Sequence, residues 1–98
     1  MRSILAIHTG HLLDAHRATG LTYEAIADRS GISRARIASL IGHAKRLRLH
    51  PPTSDDHYRR HVEPTTAAAL AAALEVDLTD LCTHYNGDPI IDQEAALA

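Results

Sequence analysis

Ninety-eight residues make one small domain with room for a single modest core. Apolar residues are 45% of the chain, but three tyrosines are its only aromatics, so the core must come from Leu, Ile, Val and Ala, which favours packed helices over a β-sandwich. The one cysteine, Cys82, excludes an internal disulfide framework and suits a reducing cytoplasm; no apolar run approaches the roughly 18 residues of a membrane span, and "MRSILAIHTG" carries too short an apolar run for a signal peptide.

The first helix is expected over about Thr9–Ala18, with Leu12, Ala15 and His16 along one side and Gly20 closing it. Before it, "SILAIH" fits either a short strand or the opening turn of that helix, and Gly10 weakens any early helix. Thr22 is a good N-cap for a second helix, with Glu24 in the first turn and Tyr23, Ile26 and Ala27 forming an apolar stripe. Gly31 then allows a sharp reversal at positive φ. Ser33 caps a third helix whose Ile37, Leu40 and Ile41 face inward, so the pair reads as a helix-turn-helix.

Residues 43–63, "HAKRLRLHPPTSDDHYRRHVE", are the most basic stretch. One reading is a β-hairpin or wing turning at residues 51–56. The other, slightly favoured, continues the third helix to about His50, then a loop and a second short helix. From Pro64, "TTAAALAAALEV" predicts a fourth helix with Leu70, Ala73 and Leu74 buried. Asp77 caps a short fifth helix, "NGDP" at 86–89 is a turn signal, and the acidic tail 85–98 offers Ile90 and Ile91 as a docking spot. The expected class is therefore all-α, with a domain over residues 1–84 and a tail after it.

Net charge is −2, but the charges are segregated. Residues 1–62 hold all ten Lys and Arg against five acids, a net of +5; residues 63–98 hold seven acids and no Lys or Arg, a net of −7. One positive and one negative face follow, and only the first can meet phosphate. Arg34 and Arg36 stand in the first turn of the third helix, where cations oppose the helix dipole by about 0.3–1 kcal/mol each. Opposite its apolar stripe are Arg34, Ala35, Ala38 and Ser39, with Arg36 on the flank. That face is slim enough for a major groove about 12 Å wide, and an arginine near its start is placed for guanine O6 and N7.

"LTYEAIADRSGISRARIASLIG", followed by "EPTTAAALAAALEVDLTDLC", resembles the Xre (Cro/C1-type) helix-turn-helix regulators of bacteria and phages, over about residues 12–82. The resemblance implies five short helices, the second and third being the DNA-binding pair. It also implies that Tyr23 and Ser33 touch phosphate while Arg34, Ala35 and Ser39 face base edges. Two departures stand out: Tyr23 replaces the usual glutamine, and the connection between the third and fourth helices exceeds twenty residues. "GISRARIASLIGHAKRLRLHP" is also similar to the DNA-reading end of bacterial sigma factors.

The expected function is transcriptional regulation on double-stranded DNA in the cytoplasm, as a repressor and a homodimer. Arg36, Lys45, Arg46, Arg48, Arg59 and Arg60 would add phosphate contacts. The rival readings are an excisionase-like architectural factor and an antitoxin whose acidic C-terminal half binds a protein. No enzyme activity, cofactor or metal is expected. His57 and His61 would share a helix face, but no CxxC, HExxH or second ligand pair joins them, and Cys82 reads as a buried structural thiol.

Overall fold

In a computed structural model of the chain, the described residues are 4–84. β1 (Leu5–His8) leads directly into α1 (Thr9–Thr19), α2 (Tyr23–Ser30) and α3 (Arg34–Leu49); a 3-10 turn (Asp55–Tyr58) and β2 (Arg59–Val62) follow, then α4 (Pro64–Leu74), α5 (Leu78–Leu81) and β3 (Cys82–His84). Five α-helices lie among the described residues, but the all-α class is overturned. Three strands form an antiparallel sheet in the order β2-β1-β3.

That correction begins at "SILAIH". Leu5, Ala6 and Ile7 are all buried, because β1 is the central strand, with Leu5 opposite Val62 on one side and His84 on the other. A strand buried throughout shows as a short apolar run with no alternation, which periodicity alone cannot separate from a buried helical turn. α1 then starts at His8, whose ring Nδ1 accepts the His11 backbone N–H at 3.1 Å. Gly10 is what permits this: a Cβ there would lie 2.8 Å from His8 Cε1 and 3.2 Å from Tyr58 Cδ1. The residue that weakens the helix by propensity makes room for its cap.

The basic stretch 43–63 follows neither sequence reading in full. α3 runs on to Leu49, as the extension reading expects. The second short helix reduces to the 3-10 turn, begun by Ser54, whose hydroxyl accepts from the Asp56 backbone N–H. β2 follows, and its partner is β1, more than fifty residues earlier, so no hairpin forms within the stretch.

α4 opens with Pro64 at its first turn and buries Ala67, Leu70, Ala71, Ala73 and Leu74. Asp77 occupies the N-cap position of α5, although its carboxylate makes no capping bond. α1 packs on α3, and α2 packs on α3 and α4. Ile7, Leu12, Leu13, Ile26, Ile37, Ile41, Leu70, Leu74 and Leu81 meet in one fully buried cluster, each such side chain contributing about 1.5–3 kcal/mol by burial. The "NGDP" turn, Ile90, Ile91 and the rest of the tail lie outside the described residues. No described helix is long and apolar enough to cross a membrane.

Candidate nucleic-acid interface

The turn between α2 and α3 follows local rules residue by residue. Thr22 caps α2 by accepting from the Ala25 N–H at 3.1 Å. Gly31 closes α2 with φ of 74°, and its N–H reaches the Ala27 carbonyl at 2.8 Å. Ser30 donates to the Ile26 carbonyl at 2.7 Å and accepts from the Ile32 N–H, so the reversal is bonded on both sides. Ser33 then caps α3 through the Arg36 N–H at 3.2 Å.

α3 buries Ile37, Leu40, Ile41 and Ala44. Its opposite side exposes Arg34, Ala35, Arg36 and Ser39, with Ala38 half-buried. This is the slim face expected from the sequence. At helical spacing Arg46 falls in line with Ala35, Ser39 and Gly42, so the rod carries a cation at either end of that face. Arg34 also has a neighbour: its Nη1 lies 3.7 Å from Glu24 Oε1. Both side chains are well exposed, so the pair is worth little, but Glu24 offsets part of the dipole conflict in α3's first turn.

Tyr23 and Lys45 come together. The Lys45 ammonium donates to the Tyr23 hydroxyl at 3.1 Å and stands 5.6 Å from its ring centroid, while the His16 ring packs tilted against the Tyr23 ring with centroids 5.2 Å apart. With its oxygen accepting from Lys45, the phenol keeps its own proton for an outside acceptor. Beside them Arg17, Lys45, Arg48 and Leu49 line an open hollow of about 390 Å³. Arg17 was missed in the sequence, where it stands 28 residues before Lys45; the docking of α1 on α3 brings it there.

Two other predicted cations are engaged internally. Arg48 forks onto Asp14 at 2.8 and 3.0 Å and reaches the Gly10 carbonyl at 3.2 Å, fastening α3 to α1. The bond from Arg48 holds the Asp14 carboxyl below the ordinary carboxylate range. Arg59 lies 3.3 Å from Asp56. Arg36, Arg46 and Arg60 are exposed.

His43 is the second residue the sequence did not single out. The Thr9 hydroxyl is 3.0 Å from the Tyr58 carbonyl and 2.9 Å from His43 Nδ1. A carbonyl only accepts, so Thr9 donates to Tyr58 and must accept from His43. That fixes the imidazole with its proton on Nδ1. Burial first, then the guanidiniums of Arg60 and Arg46, push the His43 pKa below its ordinary value.

The histidine pair weighed for metal is split between elements, His57 in the 3-10 turn and His61 in β2. Among the described residues no group of three or more His, Cys, Asp or Glu is arranged to hold a metal ion. Cys82 is 3% exposed, and burial pushes its thiol up to about 12. No protein-family model matches the chain, and no curated protein or solved structure matches it.

Proposed function

We propose that this chain binds duplex DNA with sequence preference through α3 and acts as a transcriptional regulator of the Xre kind, a repressor that works as a homodimer. One observation carries the reading: α3 turns a narrow exposed face of Arg34, Ala35 and Ser39 outward while Ile37 and Ile41 are fully buried behind it. In a major groove, Arg34 reaches guanine O6 and N7, Ala35 meets a thymine methyl, and Ser39 bonds a base edge. Tyr23 and Ser33 donate to phosphates on either side. Arg36, Lys45, Arg46 and Arg60 supply a grip that is the same for every sequence. Arg48 and Arg59 are bonded to Asp14 and Asp56, so their charge is largely offset and they add less to that grip. One helix reads only a few base pairs, so two copies on a two-fold symmetric site are needed.

Selection of duplexes from a random-sequence pool at near-physiological salt tests the proposal, with an enriched inverted repeat as the expected result. On the enriched site Arg34→Ala is expected to lower discrimination at one base pair by about 1–3 kcal/mol. Arg60→Ala is expected to weaken binding to all sequences alike. Uniform loss in both variants would remove α3 from the reading role. Binding without enrichment that vanishes steeply as salt rises would mean backbone contact alone and an architectural protein.

A further inference from the structure

We infer that Arg46, His43 and Arg60 form a clamp for a single DNA phosphate, in which His43 donates through Nε2. The inference rests on the DNA-binding reading and adds a contact residue and a proton to it.

The clamp is built from two elements that approach across the start of α1. Arg46 lies one turn beyond His43 on α3 and is exposed. Its Nη1 stands 3.4 Å from where a Cβ on Gly42 would be, so the guanidinium folds back along the helix over Gly42. Arg60 is exposed on β2, opposite Ile7 of β1. His43 is half-buried, with Nδ1–H spent on Thr9, itself fully buried and bonded to Tyr58 two residues before Arg60, so the Thr9 hydroxyl ties His43 of α3 to the chain that leads into β2. The ring cannot turn to offer Nδ1 elsewhere without leaving the Thr9 hydroxyl short of a donor. Nε2 is therefore the atom left for chemistry, and the charged groups acting on it, Arg46 from α3 and Arg60 from β2, are both cations.

In the free protein burial first, then those two cations, push the His43 pKa below its ordinary value and so disfavour a proton on Nε2. A phosphodiester between the guanidiniums reverses the balance: its negative charge cancels their repulsion, and its oxygens offer an acceptor for Nε2–H. Complex formation then takes one proton from solvent onto His43 Nε2, with no bond broken elsewhere. By linkage, affinity rises as pH falls, by up to about tenfold per pH unit for one proton. The contact is to backbone, so the effect is the same on every sequence.

The experiment measures the affinity of the full chain for a mixed-sequence duplex between about pH 8 and pH 6, with ionic strength fixed, for the wild type, His43→Asn and Arg60→Gln. Asparagine places its amide where Nδ1 stands and keeps the donor to Thr9, but cannot titrate. Wild type is expected to gain about three- to tenfold per pH unit over the slope of His43→Asn, and Arg60→Gln is expected to lose most of that excess. Equal slopes in wild type and His43→Asn would overturn the clamp while leaving DNA binding intact. Absence of duplex binding at every pH would overturn both. Should His43→Asn fail to fold, the wild-type imidazole resonances decide at fixed pH: His43 must take on the protonated form on adding duplex, and an unchanged ring overturns the clamp.

Discussion

The hydroxyl of Thr9 sits where α1 begins, α3 passes and the 3-10 turn ends, and it bonds to the latter two at once. Valine in its place would keep the volume and remove both bonds, leaving the His43 Nδ1–H and the Tyr58 carbonyl without a partner. The expected cost is about 1–3 kcal/mol, seen as a lower urea midpoint with an unchanged slope; an unchanged midpoint would mean that water replaces the hydroxyl at no cost. Nothing near Thr9 in the chain announces this role, since its partners are 34 and 49 residues away. By contrast Thr22, Gly31 and Ser33 act on atoms within four residues, and their roles were legible in the sequence.

Elements divide along the same line. α2, the turn and α3 are specified by caps, a glycine and apolar spacing, all of them local. Gly31 holds φ at 74° with open space around its α-carbon, so Gly31→Ala meets no neighbour and is expected to cost the left-handed conformation alone, about 1–2 kcal/mol, read from thermal or urea unfolding. A smaller loss would show that the turn relaxes to another conformation. The sheet is the opposite case. β2, "RRHV", carries three polar residues in four, and β1 lacks alternation because it is central. Only the pairing of Leu5 with Val62 and His84 makes strands of them, and that pairing leaves no local mark. The exposed face of α3 was legible; Arg17 beside Lys45 and His43 bonded to Thr9 were not, because each depends on how distant elements dock.

At the scale of the whole molecule the acids of the later half stand on the surface. Glu63, Glu75, Asp77 and Asp80 are all exposed, and no Lys or Arg lies among residues 63–84. The ion pair that fastens α1 to α3 gives the fold a defined acid response. Asp14 is held below its ordinary carboxylate value chiefly by its bond from Arg48, so its stabilising effect is present above about pH 4 and is lost as pH falls through the folded-state value. Asp14 and Arg48 are substantially exposed, with 59% and 36% of their side-chain surface open, so the effect is expected to stay below about 1 kcal/mol. Urea unfolding of wild type and Asp14→Asn across acidic pH should show a gap at neutrality that closes on acidification; a gap independent of pH would assign the loss to packing instead.

The position of β1 has a consequence for how the molecule comes into being. The middle strand of the sheet is synthesised more than fifty residues before Val62 and nearly eighty before His84, the residues that flank Leu5. While the ribosome is still making the later residues, the three helices that follow β1 can wind up by short-range contacts, but Leu-Ala-Ile has neither neighbour to pair with. A nascent chain stalled anywhere between β1 and β2 thus carries an apolar segment with neither of its sheet neighbours. Closure over such sequence distances is slow compared with helix pairing, so β2 and β3 are expected to close on either side of β1 after the helices have paired.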